Sequence, residues 1–320
     1  MKRRHLFASI AGMILFPAQL LSQTISSKQI RIINPFPPGG TTDILSRIIS
    51  SGLQAGGQGS IVESHPGAGG NLGLQIAAKA DPDGNTIAVI PIAAAISSSL
   101  YRNLGFKLTT DFRGVAFLGN MPSLLLVPKD SLFTSIEQVV SYGRKNPGKL
   151  TYASFGTGTS PQLFMELFLN RYGITAIHVP YKGAAPALTD LLGGQVDIGF
   201  QTATSVLGLV QQGKLRPLAV STKERFELLP LVPTIAETGL PGFDAGVWFG
   251  VVAPAKTPTV TVNKLNAEIN KILKSPDNQK KLMELGVSYK PMTADEFNTF
   301  VKNEENKWAQ VAKLVGIEPE

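Results

Sequence analysis

The sequence contains no cysteine in its 320 residues. This absence excludes disulfide bonds, thiolate metal sites, a cysteine nucleophile and a lipid anchor on cysteine. Histidine is scarce as well: after His5 only His65 and His178 remain, and they lack the spacing of a metal-binding pair. No serine lies in the sequence context of a hydrolase nucleophile. We therefore predict no metal, no cofactor and no catalytic residue.

A strong excess of one charge is also missing. The formal net charge is +7, and removing Lys2, Arg3 and Arg4 leaves +4 (7 minus 3). The remaining basic residues are spread among acidic ones, as in Lys280 and Lys281 near Glu284. A nucleic-acid-binding protein would concentrate its basic residues in a patch. We therefore predict no nucleic-acid partner, and we expect a monomer.

Long apolar runs are confined to the first residues. The three basic residues at positions 2–4 precede an apolar stretch over residues 6–16, and a polar stretch follows. This order is typical of a secretory signal peptide, and the apolar run is shorter than the roughly 20 residues of a membrane-spanning helix. We predict that residues 1–24 are removed on export and that the mature chain is periplasmic.

The rest of the chain alternates β-like runs with helical apolar periodicity. Residues 30–33 predict a strand, residues 44–53 carry apolar side chains at helical spacing, and residues 60–63 predict the next strand. The alternation continues to about residue 250, after which the chain is helical. This pattern predicts an α/β fold with mostly parallel sheets that helices cover on both faces.

The length allows two lobes, and two strand-like stretches are placed to connect them. Residues 115–127 and 247–253 are predicted to cross between the lobes and to form a hinge of two crossing segments. Lobe 1 would then comprise residues 25–120 plus 251–320, and lobe 2 residues 121–250. Ligands of open α/β sheets bind beyond the carboxyl ends of the strands, so the cleft between the lobes is the expected site.

Two glycine-rich segments follow predicted strands, at residues 35–43 and 66–73. Unpaired amides and the positive end of a helix dipole favour an anion there. A plain strand-to-helix turn without a ligand is the alternative for the first segment, and the second matches a dinucleotide fingerprint only weakly. The candidate ligand-binding residues in these segments are Phe36, Gly39, Gly40, Thr41, Gly67, Ala68, Gly69 and Gly70.

A third glycine turn, at residues 154–160, offers hydroxyls and amides for the far end of a ligand, although N-capping by Ser160 alone is an alternative. The glycine segments contain no lysine or arginine. Amides and hydroxyls would therefore hold an anion, which suits a carboxylate better than a phosphate. The candidates from this turn and from other strand ends are Thr157, Thr159, Ser160, Ser97, Asp197 and Gln201.

Several motifs occur together and in order along the mature chain. They are residues 35–40 with Asp43, residues 62–63 with 66–70 and Gly73, residues 80–84, 146–150, 178–183, 186–188, 193–197 and 232–234, and then Glu237 with residues 239–243. With these motifs the chain resembles the solute receptors of tripartite tricarboxylate transporters, the Bug or TctC-like family.

The resemblance implies a non-enzymatic, two-lobed periplasmic binding protein of type II-like fold. Such a receptor closes around a carboxylate-bearing solute and delivers it to the membrane subunits of the transporter. The first two glycine loops would hold one carboxylate through backbone groups and water. The middle lobe, with Thr157, Thr159 and Ser160, would contact the rest of the ligand.

The chain departs from the family pattern at a few positions. Asn34 replaces a usual valine, Ser64 and His65 replace a pair that typically contains asparagine, and Gln201 stands where an acidic residue is frequent. The last change argues against a ligand with an amino group. Dicarboxylates, tricarboxylates, aromatic acids, acidic amino acids and small neutral acid derivatives stay open as ligands. A ligand sensor for a signalling receptor and a periplasmic hydrolase using His65 or His178 are the alternative functions.

Overall fold

A computed structural model describes residues 28–101, 103–314 and 316–317. The predicted signal peptide lies outside these residues. In the described part of the chain, none of the helices is both long and apolar enough to cross a membrane.

The first sheet has five strands in the order β2-β1-β3-β10-β4. Strands β1, β2 and β3 are parallel, whereas β10 runs antiparallel to both of its neighbours. Each predicted strand of this region is present, and isoleucine and valine dominate the buried positions of β1 and β3. The strand bounds are β1 Ile30–Asn34, β2 Ser60–Ser64, β3 Thr86–Pro91, β4 Phe112–Met121 and β10 Val247–Pro254.

The second sheet repeats this topology in the order β7-β6-β8-β5-β9. Its strands β6, β7 and β8 are parallel, and β5 runs antiparallel to β8 and β9. Each sheet is thus mostly parallel with one reversed strand. The bounds are β5 Ser123–Pro128, β6 Leu150–Ser154, β7 Ala176–Pro180, β8 Ile198–Thr202 and β9 Leu215–Val220.

Eleven α-helices in the described residues cover the sheets. Eight precede β10: α1 Thr41–Ala55, α2 Asn71–Ala78, α3 Ala93–Leu100, α4 Leu108–Asp111, α5 Ile136–Lys145, α6 Ser160–Tyr172, α7 Ala184–Leu192 and α8 Ala203–Gln211. Three follow it: α9 Thr259–Leu273, α10 Pro276–Glu284 and α11 Ala294–Leu314. A capping box begins α11, because Thr293 and Glu296 exchange hydrogen bonds between their side chains and backbone N–H groups.

The chain passes between the sheets twice. It leaves the first sheet at Met121 and enters the second at Ser123, and it returns between Val220 and Val247. The prediction that residues 247–253 cross is wrong: β10 is fully buried and pairs with β3 on one side and β4 on the other, so it belongs to the first sheet along its whole length. The lobe boundaries at residues 120 and 250 stay a prediction.

Both crossings join the carboxyl edges of the two sheets. Strand β4 is parallel in direction to β3, so it ends at Met121 on the edge where β1, β2 and β3 end. Ser123 pairs with Thr202 at the carboxyl end of β8. With a single residue between Met121 and Ser123, the strand ends of the two sheets must face each other. We call the first sheet with its helices the first half of the molecule, and the second sheet with its helices the second half.

Helix α11 holds the two halves together. Its Trp308 stacks on Phe164 of α6, with ring centroids 5.3 Å apart. The buried carboxylate of Glu304 accepts hydrogen bonds from Nε1 of Trp308 at 3.0 Å and from Nε1 of Trp248 at 2.8 Å. Lys307 pairs with the same carboxylate, so this buried charge is compensated. One hydrophobic cluster consequently includes residues of both sheets.

Candidate ligand-binding site

Two glycine loops at the edge of the first sheet pack directly against each other. We define loop 1 as residues 35–40, between β1 and α1, and loop 2 as residues 65–70, between β2 and α2. The ring of Phe36 lies against Gly70, where a Cβ atom would come within 3.0 Å of the ring. At Gly73 a Cβ atom would be 2.9 Å from the Cα atom of Pro35. Glycine at both positions allows the two loops to meet.

Asn34, one of the departures from the family pattern, ties these loops together. It is fully buried at the end of β1. Its side-chain Nδ2 donates to the carbonyl of Phe36 at 2.8 Å and to Oγ of Ser64 at 3.1 Å. The backbone carbonyl of Asn34 accepts from the amide of His65 at 2.9 Å. A buried polar side chain with this many partners fixes the relative position of both loops. Sequence reasoning identified the unusual residue but not its role.

Loop 1 presents amide groups at the start of α1. In the described part of the chain, the N–H groups of Gly40 and Thr41 have no hydrogen-bond acceptor. The N–H of Gly39, by contrast, donates to Oδ2 of Asp43 at 3.0 Å. Arg47 bonds the same carboxylate, and this contact together with the Gly39 amide holds the pKa of Asp43 below its usual value. The structure therefore corrects the prediction for Gly39, whose amide is occupied by the protein itself.

Loop 2 has left-handed backbone at four consecutive residues. The φ angles of Gly67, Ala68, Gly69 and Gly70 are 143°, 47°, 66° and 98°. Ala68 is the one non-glycine residue with positive φ among the described residues, and such strain is concentrated at functional sites. The N–H of Gly70 bonds to the carbonyl of Gly67 at 2.9 Å, whereas those of Gly67, Ala68 and Gly69 find no acceptor in the described chain. Three consecutive unpaired amides are the kind of backbone feature that can bind an anion.

Charged and titratable side chains lie at the start of loop 2. Glu63 accepts two hydrogen bonds of 2.8 Å from Arg31, and His65 contributes a third contact at 3.3 Å. The bidentate bond from Arg31 lowers the pKa of Glu63 to about 2. The carboxylate and the guanidinium neutralise each other, so this pair offers no free charge to an anion in the loops.

The third glycine turn is held by side chains. We define loop 3 as residues 155–159, between β6 and α6. Oγ of Ser154 accepts from the amide of Gly156 at 3.2 Å, and Thr159 donates its hydroxyl to the carbonyl of Gly156 at 2.6 Å. Oε1 of Gln162 accepts from the amide of Gly158 at 2.6 Å. Within the described residues the amide of Thr157 is unpaired, and its side chain is exposed.

The predicted cap of α6 is corrected by the structure. Ser160 is the first helical residue rather than the cap, and Thr159 occupies the N-cap position without a side-chain capping bond. The hydroxyl of Thr159 is directed to the turn instead. Pro161 follows in the first helical turn, where its missing N–H leaves no helical bond unmade.

The remaining candidates lie in different places. Ser97 is buried in α3. Gln201 is fully buried near the end of β8, and neither Nε2 nor Oε1 of its amide has a hydrogen-bond partner among the described residues. Buried polar atoms without partners are rare in folded proteins and mark places where a ligand or water bonds. Gln201 is thus a strong structural candidate.

The structure corrects the predicted position of Asp197. It was predicted to follow a strand, but it precedes β8 and lies at the opposite edge of the sheet from loop 3. Its Oδ2 accepts from the amide and the hydroxyl of Thr151 at 2.7 and 2.8 Å. This exchange joins the starting ends of β6 and β8, so Asp197 has a role in strand pairing.

Sequence reasoning missed one polar residue beside loop 2. Asn71 begins α2 and is 5% exposed, yet its Oδ1 has no partner among the described residues. Its position directly after the glycine run is the signal that would have identified it. No group of three or more histidine, cysteine, aspartate or glutamate residues that could hold a metal ion occurs in the described chain.

The loops are open to solvent, and the halves touch beside them. Gly40, Gly67 and Gly69 are exposed. In α3 of the first half, Cδ1 of Leu100 lies 2.5 Å from where a Cβ of Gly158 would be. Loop 3 therefore faces the first half closely.

Two similar α/β halves that are joined by two chain crossings and carry facing glycine loops define the class of two-lobed binding proteins. The model of the tripartite tricarboxylate transporter family receptor matches residues 45–317, and the chain belongs to this family.

Individual relatives agree with the family. A UPF0065 protein from the tcbD-tcbE intergenic region of Pseudomonas sp. (strain P51) is 37% identical over 314 residues, covering 97% of this chain and 93% of the relative. The R. palustris protein Rpa4515, solved with adipate, superposes with a TM-score of 0.78 at 35% identity, covering 92% of this chain and 99% of that one. MatC from Rhodopseudomonas palustris, with bound malate, superposes with a TM-score of 0.71 at 30% identity, covering 88% of this chain and 98% of that one. These comparisons confirm the predicted family and the two-lobed α/β fold.

Proposed function

We propose that this chain is a periplasmic receptor that captures a small dicarboxylate between its halves and delivers it to the membrane subunits of a tripartite tricarboxylate transporter. The observation that carries the proposal is the seam of loops 1 and 2. There, five amides without an acceptor among the described residues lie in two adjoining loops at the edge that faces the second half; they belong to Gly40, Thr41, Gly67, Ala68 and Gly69.

The chemistry of this seam favours a carboxylate. Helix α1 has 15 residues, and its positive end points to loop 1. Arg47, the nearest basic side chain in α1, is engaged by Asp43. Amides and the helix dipole therefore supply the attraction, which is appropriate for a single negative charge. Adipate and malate in the related structures are both dicarboxylates, and this supports the same class of ligand here.

The second half offers partners for the other end of the ligand. Gln201 provides both a donor and an acceptor without partners among the described residues, and leaving them unpaired costs roughly 1–3 kcal/mol. A second carboxylate, a hydroxyl or a bridging water would satisfy them. A neutral amide gives no charge to pair with an ammonium group, so an amino acid is a poorer ligand.

Capture proceeds by closure of the halves about the two crossings. Contacts from both halves to one ligand stabilise the closed form, and the transporter subunits would recognise that form. The receptor acts as a monomer and breaks no bond. A hydrolase is disfavoured because the imidazole of His178 meets the amide of Gln162 in place of the acid that a catalytic triad requires.

The first experiment measures ligand binding directly. The mature protein is titrated calorimetrically and melted with adipate, malate and other small acids. At about 100 times the dissociation constant a ligand adds about 2.7 kcal/mol of stability. We expect a dicarboxylate to produce this shift, and a response only to a non-acidic solute would contradict the proposal.

A matched pair of variants tests the amides. Gly40 has φ −81°, close to the value that proline adopts, so Gly40→Pro removes the N–H at a compatible φ. A Cβ at this position meets only the carbonyl of Pro37 at 3.9 Å, so Gly40→Ala is the control. A hydrogen bond to a charged group contributes about 1.5–3 kcal/mol, so we expect Gly40→Pro to weaken binding about tenfold or more. Equal affinities of the two variants would remove Gly40 from the site.

A further inference from the structure

A hydrogen-bonded chain connects β7 to the turn of loop 3. Nε2 of His178 lies 2.6 Å from Oγ of Ser154, and Nδ1 of His178 lies 3.3 Å from Nε2 of Gln162. Oε1 of Gln162 accepts from the amide of Gly158 at 2.6 Å. Oγ of Ser154 lies 3.0 Å from the carbonyl of Gly156. The imidazole is thus bonded to both sides of the same glycine turn.

These contacts determine the position of the imidazole proton. A backbone N–H can only donate, so the bond from Gly158 fixes the orientation of the Gln162 amide, with Nε2 towards His178. Nε2 of Gln162 must donate, and Nδ1 of His178 must accept. The neutral ring therefore carries its proton on Nε2 and donates it to Ser154, whose own hydroxyl proton goes to the carbonyl of Gly156.

We propose that His178 is a positioning residue that keeps loop 3 in its ligand-binding conformation only while its imidazole is neutral, so that the receptor loses affinity for its ligand in acid. The proposal rests on the proposed function, because it assigns loop 3 to the ligand. It adds a regulation of this site by protons.

Protonation places two donors face to face. A second proton must bind Nδ1, where it meets the N–H of Gln162. The amide then has to turn, and Oε1 leaves the N–H of Gly158. Gly156 and Gly158, with φ 129° and 75°, are glycines whose backbone has many other accessible conformations, so the turn depends on these side-chain bonds. Gly158 also lies against Leu100 of the first half, so its displacement alters the contact between the halves.

The surroundings of the ring favour its neutral form. Tyr152 of β6 stacks on it, with centroids 4.8 Å apart and planes inclined by 13°, and donates its hydroxyl to Glu166 of α6 at 2.5 Å. Tyr152 and Glu166 are the titratable groups that the described contacts place beside His178, and Glu166 already accepts the hydrogen bond from Tyr152. Burial lowers the pKa of His178 below its ordinary 6.5. Above about pH 6.5 the imidazole of His178 is therefore neutral and loop 3 is ordered. As the pH falls through the lowered pKa of His178, the imidazole is protonated and the order of loop 3 is lost.

The test uses adipate and malate as probes, titrated into the mature protein from about pH 7.5 to about pH 5. Because one or two hydrogen bonds are exchanged, we expect the affinity of the wild type to fall about threefold to tenfold in acid. His178→Asn keeps an acceptor for Gln162 near the position of Nδ1 but cannot titrate, so its affinity should stay constant. Gln162→Leu should bind weakly at every pH. His65→Asn is the matched control and should retain the pH dependence of the wild type.

A ligand-free readout separates this inference from the proposed function. Nitrogen NMR of the imidazole should show the Nε2-protonated tautomer at neutral pH, and the amide of Gly158 should lose its protection from exchange as His178 titrates. An Nδ1-protonated ring, or a Gly158 amide indifferent to the titration, overturns the inference even if dicarboxylates bind. If no acid binds while both NMR changes occur, the proton-controlled turn stands and the proposed ligand class fails.

Discussion

The two halves share one strand order but support their glycine loops in different ways. In the first half, loops 1 and 2 lean on each other through Phe36 and Gly70, and a single buried amide, Asn34, anchors them. In the second half, loop 3 is held by side chains from its own strand and helix, chiefly Ser154 and Gln162.

This difference separates two tasks that one topology can serve. Where backbone groups are left unpaired, the edge of the sheet can bind an anion without any charged side chain. Where side chains already occupy the turn, its conformation depends on their protonation and packing. In the receptor that we propose, the first half supplies a constant attraction, and the second half supplies a contact that varies with the ligand and with pH.

The largest loss of stability is expected from a substitution in helix α11, which contacts both halves. Glu304→Leu leaves the buried indole N–H groups of Trp248 and Trp308 without an acceptor, and each costs roughly 1–3 kcal/mol. We expect a loss of about 4 kcal/mol in urea unfolding, whereas the exposed neighbour on α11, Asn303→Leu, should change little. A small loss for Glu304→Leu would mean that the halves are held together mainly by other contacts.

The next largest effect should appear at the seam of the first half. A valine at Gly73 would meet backbone atoms of Pro35 and His65 within 3.0 Å, and backbone cannot move aside as a side chain can. We expect Gly73→Val to lose about 3 kcal/mol of stability together with ligand binding. Gly208→Val, in α8 with nothing within 4 Å, is the helical control and should keep both.

Glycine-to-alanine substitutions, which add one methyl group each, compare loop 2 of the first half with loop 3 of the second half. Gly70→Ala presses on the ring of Phe36, and Gly158→Ala presses on Leu100; Gly57→Ala has similar positive φ but open space. All three should lose about 1–2 kcal/mol from backbone strain. Calorimetry should show weaker dicarboxylate binding for the first two only, and more so for Gly70→Ala. Equal affinities for all three would show that loop contacts do not govern binding.

The smallest effect concerns the charged pair beside loop 2. In the folded protein the pKa of Glu63 is lowered to about 2, so the unfolded chain binds a proton at this carboxylate more readily. The ion pair therefore stabilises the folded state fully above about pH 4.5, and this stabilisation is lost as the pH falls towards 2. Both partners are partly exposed, so Glu63→Gln should cost less than about 1 kcal/mol at neutral pH. Urea titrations should show this difference shrinking in acid; a constant difference would contradict the ion pair as its cause.

The sequence by itself determined the alternation of strands and helices and the three glycine loops, because these depend on local periodicity and turn chemistry. Composition alone removed every cysteine-based function. The same local reasoning misplaced Asp197 and the second crossing, since a buried run such as residues 247–253 looks the same in either sheet.

Only the tertiary structure decided which groups in those loops are free. The amide of Gly39 is occupied by Asp43, that of Gly40 is not, and the proton of His178 is assigned by Gln162, which lies on another element. Hydrogen bonding depends on distance and direction between groups that the chain brings together from separate elements. The pattern of residues could therefore indicate candidate loops for a ligand, but not which of their atoms are left unpaired.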